Sequence, residues 1–223
     1  MKSGSVKIYS EESKMIKTFK TISLLLSYPD QELQEFLTEV IPVLNDESLL
    51  EKQHLDGTAE FVKYYSKLPL MEWQEQYVQL FDFTRSVSLH LFEHVHGDSK
   101  DRGQAMIDLA EEYLKAGLKL ESGELPDYLP VFLEYLALLD KDEATGLVTE
   151  TVHILGAIRY RLEEKSNPYA HLFSALISLS DEPVEKDIME KVITNQKPVD
   201  FDREYKDEAV RFGGNENPCD RCK

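Results

Sequence analysis

Residues 128–139 read YLPVFLEYLALL. Tyr128, Leu129, Val131, Phe132, Leu133, Tyr135, Leu136, Leu138 and Leu139 put apolar groups nearly all round a helical wheel. A helix without a polar face has to be enclosed by others, so this segment predicts the central buried helix of an all-α fold. Working outward, Asp140 to Glu143 breaks the run, and a long helix follows over about Ala144 to Lys165 through Leu147, Val148, Val152, Leu155, Ile158 and Leu162. Pro168 opens a further helix with Leu172, Phe173, Leu176, Ile177 and Leu179. On the N-terminal side, Gly123 and Pro126 punctuate an acidic loop from Leu120 to Asp127, preceded by a helix carrying Met106, Leu109, Ala110, Tyr113 and Leu114 that Gly117 can end.

The chain before that repeats the pattern. Met15, Ile16, Phe19, Ile22, Leu25 and Leu26 recur at spacings of three and four, and Tyr28-Pro29-Asp30 ends that helix. Asp30 can cap a second helix bearing Leu33, Phe36, Leu37, Val40 and Ile41, expected to stop near Pro42. A third runs from about Leu49 to Leu68, and a fourth starts near Met71. The helical spacing then resumes through Val87, Leu91, Phe92 and Val95, with Gly97 as its left-handed end and Asp98 or Ser99 as the next N-cap. No alternating strand pattern is present. The expectation is one compact helical domain over 11–180, of about eight to ten helices with short connections. Over 181–223 apolar residues thin out and Pro183, Pro198 and Pro218 interrupt, which predicts a short helix and then a flexible acidic tail.

Composition excludes several functions. A formal charge of -17 opposes nucleic acid as a partner, because phosphate contacts need clustered Lys and Arg. The same charge favours a cationic partner and disfavours anionic membrane surfaces. No apolar run reaches the length of a membrane span, and the N-terminus lacks the apolar core and cleavage site of a secretion signal. The two cysteines, Cys219 and Cys222, do not make a disulfide scaffold, so the cytoplasm is the expected compartment. Phosphate-binding glycine loops and Gly-x-Ser-x-Gly are missing, and no nucleophile has an evident base beside it; no resident cofactor is expected.

Chemistry-bearing residues concentrate in 73–106, WQEQYVQLFDFTRSVSLHLFEHVHGDSKDRGQAM. Tyr77, Leu80, Phe81, Leu91 and Phe92 supply apolar bulk, while Asp82, Arg85, Glu93, Asp98, Asp101 and Arg102 supply charge. That mixture suits an apolar groove with a polar rim, into which a partner segment could dock. The competing reading makes Tyr77, Leu80 and Phe81 ordinary core at helical spacing. His90, Glu93 and His94 also spell H-x-x-E-H, a pattern that on a helix gives two zinc ligands and a general base, and so a zinc-dependent hydrolase as the alternative function. The plainer reading has these histidines lining a helix end, and a third metal ligand is not singled out. Cys219 and Cys222 form one C-x-x-C, half of a four-thiolate site, and read more simply as a reduced pair in the tail.

The run YVQLFDFTRSVSLHLFEHVHGDSKDRGQAM (77–106), with GLKLESGELPDYLPVFLEYLALL (117–139) and LLLSYPDQEL (24–33), closely resembles the nitrate reductase molybdenum cofactor assembly chaperones of the NarJ type, also called the delta subunit. These belong with the TorD/DmsD-like redox-enzyme maturation chaperones. The match is collinear from about Thr18 to Leu179. The resemblance implies a non-enzymatic helical chaperone that binds the immature catalytic alpha subunit of respiratory nitrate reductase. It would act through that subunit's N-terminal segment, docking as an amphipathic helix, and promote molybdenum cofactor insertion and iron–sulfur maturation before membrane docking. Molybdenum cofactor biosynthesis proteins are further partners it brings to mind; nucleic acid and direct membrane insertion are not implied. Tyr77, Leu80, Phe81 and Asp82 match the family's Y-x-x-L-F-D run. Arg85, His90, Leu91, Glu93 and His94 fall in the signature after it, followed by Gly97, Asp98 and Asp101-Arg102-Gly103. Pro126 and Asp127 match the Pro-Asp of the wider Pro-Asp-His motif, with Tyr128 where the His would stand. These are the partner-binding candidates.

Overall fold

The computed structural model describes residues 16–95, 100–120 and 123–195. Nine α-helices occur among them: α1 Lys17–Leu26, α2 Gln31–Glu47, α3 Lys52–Tyr65, α4 Leu70–Tyr77, α5 Lys100–Lys115, α6 Leu129–Leu136, α7 Lys141–Glu164, α8 Ala170–Ile177 and α9 Lys186–Asn195. No strand forms among the described residues; one isolated antiparallel bridge joins His90 to Tyr128. The expected Gly97 and Asp98/Ser99 junction, His96, the cysteine pair and the tail beyond 195 lie outside the described residues.

The segment expected at the centre is there. α6 buries Leu129, Val131, Phe132, Leu133, Tyr135 and Leu136, with Pro130 in its first turn, where a missing N–H is harmless. α1 lies along it: Ser23 Oγ donates to the Pro130 carbonyl at 2.7 Å, Ile16 N donates to the Ala137 carbonyl at 2.9 Å, and Lys20 pairs with Glu134. Asp140 ends the segment by capping α7, accepting from Glu143 N at 2.9 Å. α8 packs against both α7 and α3. Gly57 permits the close approach of α3, since a Cβ there would stand 2.9 Å from His171 Nδ1. α9 sits on α7, where Gly156 leaves room for Val184 and Arg161 Nη2 donates to the Ile193 carbonyl at 2.9 Å.

Two helix expectations are corrected. α2 does not stop near Pro42; it runs through to Glu47. Its buried face continues through Leu37, Val40 and Leu44, and Glu47 accepts from Lys17 N, Thr18 N and Thr18 Oγ1, which caps the start of α1. Those contacts outweigh the one backbone hydrogen bond that Pro42 removes. Residues 83–95 do not form the expected helix either. They make two 3-10 turns, Arg85–Val87 and Leu91–His94, joined by extended backbone. The backbone pairs outward instead: Leu129 N donates to the Leu89 carbonyl at 2.8 Å and Leu91 N to the Asp127 carbonyl at 2.9 Å. Ser and Thr assist, with Thr84 Oγ1 donating to the Gln79 carbonyl and His90 N to Ser88 Oγ. The segment is thus a strap laid across the entrance to α6.

Candidate functional site

α4 ends in a π-helical turn, Val78–Asp82, in which Phe83 N reaches back to the Val78 carbonyl at 3.2 Å. Through that turn the inward positions keep the spacing of the helix before it. Trp73, Tyr77, Leu80 and Phe81 face inward and are buried. Trp73, Tyr77 and Phe81 join Phe61, Tyr65 and Tyr169 in an aromatic cluster whose ring centroids lie 4.7–6.2 Å apart. Trp73 Nε1 donates to Tyr169 OH at 2.9 Å, so the indole N–H is satisfied in the core. Tyr77 OH donates to the Leu26 carbonyl at 2.8 Å; its single proton is then used, so Tyr128 OH donates to it across 3.0 Å. Burial pushes both phenols above their ordinary pKa, and they stay protonated.

The partner-contact reading of Tyr77, Leu80, Phe81 and Leu91 therefore needs correcting at the level of geometry. All four are core residues, at 2–7 % exposure, and reach no groove as placed. The outward face of the same segment is what solvent meets. Tyr28, Met71, Gln74, Glu75, Val78 and Gln79 line a shallow depression of about 500 Å³. Met71 and Phe83 are each more than 70 % exposed. These residues were missed in the sequence, although Met71, Glu75 and Val78 repeat at helical spacing on the face opposite Trp73 and Tyr77.

Beside this face the strap and the 123–128 loop meet at Asp127, whose side chain is fully buried. His90 Nδ1 lies 3.1 Å from Asp127 Oδ1; Phe92 N and Arg102 Nη2 donate to Oδ2 at 3.3 and 3.4 Å. Arg102 also stands 3.6 Å from Glu93 Oε1. Tyr113 OH fixes the same loop by donating to the buried Pro126's carbonyl at 2.7 Å. Asp127 thus holds together three pieces of chain that the sequence leaves far apart: the strap, the start of α5 and the entrance to α6. Tyr128 tilts its ring against His90 with centroids 5.4 Å apart. Asp82 and Arg85 are exposed. Partial desolvation raises the Asp82 carboxyl, and nearby His90 opposes that rise. The Asp101 side chain lies outside the described residues.

The zinc arrangement does not form. His90 is in extended backbone and His94 ends a 3-10 turn, so they do not share a helix face. The His90 ring is engaged by Asp127, while His94 Nε2 donates to the Ser88 carbonyl at 2.8 Å in the core. Burial lowers the His94 pKa and keeps that ring neutral. Among the described residues no three His, Cys, Asp or Glu side chains are grouped so as to hold a metal, and no helix is long and apolar enough to cross a membrane.

The helical fold has a structural counterpart. A redox enzyme maturation protein from Archaeoglobus fulgidus, so described in its crystal structure, superposes with a TM-score of 0.51, covering 77% of this chain and 96% of its own, a likeness of fold at 23% identity. Residues 44–175 match the family model described as nitrate reductase delta subunit. The chain belongs to that family. Among its relatives, the nitrate reductase molybdenum cofactor assembly chaperone NarJ of Escherichia coli K12 is 37% identical over 195 residues, 86% of this chain and 83% of that protein. The probable assembly chaperone NarW of the same organism is 35% identical over 210 residues, 92% and 88% respectively.

Proposed function

We propose that this protein is a cytoplasmic, non-catalytic chaperone for nitrate reductase. It binds the immature catalytic alpha subunit and promotes molybdenum cofactor insertion and iron–sulfur maturation before the enzyme reaches the membrane. The observation that carries this is the 37% identity, over 86% of the chain, to a protein named for that assembly role. The N-terminal segment of the alpha subunit, as an amphipathic helix, is the proposed ligand, and molybdenum cofactor biosynthesis proteins are proposed as further partners. The outward face of α4 and its π turn is the proposed seat. Tyr28, Met71, Val78 and Phe83 offer apolar contact, and Glu75 and Asp82 offer carboxylates to Lys or Arg. Arg85, His90, Glu93 and Arg102 form the polar side of the same site, and Asp101 remains a candidate contact from the sequence alone. Tyr77, Leu80, Phe81, Leu91, His94, Pro126 and Asp127 hold its shape from beneath. A few apolar contacts then dominate affinity, and the charged rim sets encounter rate and register.

The test is co-purification with the unassembled alpha subunit, followed by crosslink mapping. Crosslinks from Met71, Val78 or Phe83 positions to the alpha N-terminus support the reading. Normal nitrate reductase maturation in cells lacking the gene overturns the function, and crosslinks confined to another face overturn the seat.

A further inference from the structure

A second trough lies away from α4, between the C-terminal half of α5 and the N-terminal half of α7, with the end of α6 as its floor. It encloses about 510 Å³. Glu143, Gly146, Leu147 and Glu150 form one stripe of α7 at spacings of three and four, facing Glu112 and Lys115 of α5 and Ala116 just past its end. Tyr135 and Leu139 supply the floor. Tyr135 is held by its ring contact with Tyr113, centroids 4.8 Å apart. Three carboxylates line the rim against one ammonium, and that ammonium is engaged: Lys115 Nζ lies 2.6 Å from Glu112 Oε1. On the floor, burial raises the Tyr135 phenol, Glu112 and Glu143 add to that rise, and Lys115 opposes it. A Cβ placed on Gly146 would meet nothing within 4 Å, so the middle of the stripe is open space.

We infer that this trough is a second docking site, and that its occupant is a cationic amphipathic peptide segment of another protein. An apolar side chain of that segment rests on Tyr135, Leu139 and Leu147, and its Lys or Arg residues reach Glu143, Glu150 and Glu112. Charge complementarity selects this occupant: an apolar floor alone accepts many side chains, but a carboxylate rim around it rejects acidic and rewards basic flanks. The site is separate from the α4 face, and the inference stands whether or not the client segment docks there.

The test uses the full chain and a synthetic Leu/Lys amphipathic peptide, with a Leu/Glu counterpart, by calorimetry. Gly146→Phe fills the trough without changing charge, and replacing a helical glycine favours α7. Glu143→Lys with Glu150→Lys reverses the rim. Glu60→Lys on the exposed face of α3 is the charge control. Gly146→Phe and the rim reversal should each weaken the Lys peptide about tenfold and Glu60→Lys less than about twofold; the Glu peptide should not bind. Unchanged affinity in Gly146→Phe overturns the site. Equal weakening by Glu60→Lys reduces it to diffuse electrostatics and also overturns it. A wild-type dimer that Gly146→Phe dissolves would assign the trough to a second copy of the chain instead.

Discussion

Asp127 should be the most sensitive polar position in the described structure. Its buried carboxylate receives His90 at 3.1 Å, Phe92 N at 3.3 Å and Arg102 at 3.4 Å. Asp127→Ala removes all three contacts and leaves a backbone N–H and a guanidinium facing a void. Breaking a buried pair by deleting one partner costs about 3–5 kcal/mol. Arg102 retains some solvent and its contact is long, which places the expected loss at the low end, about 3 kcal/mol. For a domain of this size that lowers Tm by roughly 6–12 °C. Asp127→Asn separates charge from shape. Its amide oxygen can take the Oδ2 place, while its NH2 can donate to a neutral His90 Nδ1, so only the charge-assisted share is lost, about 1–1.5 kcal/mol. Urea unfolding followed by circular dichroism measures both variants against wild type. The expected order is wild type, then Asn, then Ala. If Ala lies within about 0.5 kcal/mol of wild type, the knot at Asp127 does not hold the strap and this reasoning fails.

Phe81→Ala and Phe83→Ala should behave oppositely, although the residues are two apart. The first opens a cavity against Tyr77 and Tyr169 and should cost about 3–5 kcal/mol of stability. The second, at 71 % exposure, should leave stability unchanged and weaken alpha-subunit binding, read by denaturation and pull-down in parallel. His94, whose folded pKa burial depresses below 6.5, contributes stability that is complete above pH 6.5 and is lost as pH falls from there through the folded value. His54 adds in the same direction. His94→Gln, which keeps a donor for the Ser88 carbonyl, should flatten the fall in stability between pH 7 and about 5; an unchanged slope in the variant would show that His94 does not titrate there. Gly156→Ala would bring a Cβ to 2.7 Å from Val184 Cγ1, pushing the 181–195 segment off α7. Hydrogen exchange should then speed up in α9 and stay slow in α7, and equal protection in both proteins would remove the close-approach argument.

Much of the fold was legible because burial leaves a period. The nearly all-apolar wheel of 128–139 called for an enclosed helix, and it became α6, while Asp30 announced a helix start that its side chain does cap; Asp140, read only as a break, caps α7 three residues ahead of the expected start at Ala144. The misreadings came where a partner outside the local window decided the matter. Pro42 is a sound stop signal locally, but Glu47 is needed as the cap of α1, thirty residues away in sequence. Val87, Leu91, Phe92 and Val95 carry helical spacing, yet Leu91 N and Phe92 N donate to Asp127 and the Leu89 carbonyl accepts from Leu129 N, which draws the segment out of a helix. The site divided the same way. The 77–82 window stood out for its mix of aromatics and charge, but an apolar face at helical spacing reads equally as core or as groove, and Tyr77, Leu80 and Phe81 lie in the core. The meeting of Asp127 with His90 crosses 37 positions and has no local signature.

The signature residues thus fall into a frame and an edge. Tyr77 ties the end of α4 both to the Leu26 carbonyl and to Tyr128, so the position of the π turn is fixed from α1 and from the loop entering α6. Leu80 and Phe81 then fill the core, and the same turn leaves Asp82, Phe83 and Arg85 in solvent. A frame residue can affect a partner only through the shape of the edge, so variants at Tyr77, Leu80, Phe81 or Asp127 should lose binding in step with stability. On the proposed seat an edge residue would touch the partner directly, so variants at Asp82, Phe83 or Arg85 should lose binding with stability intact. Plotting the binding loss of each variant against its unfolding free energy therefore separates the two groups into a sloped line and a vertical scatter. Edge variants that fall on the sloped line would mean that the α4 face supports the binding site without being it.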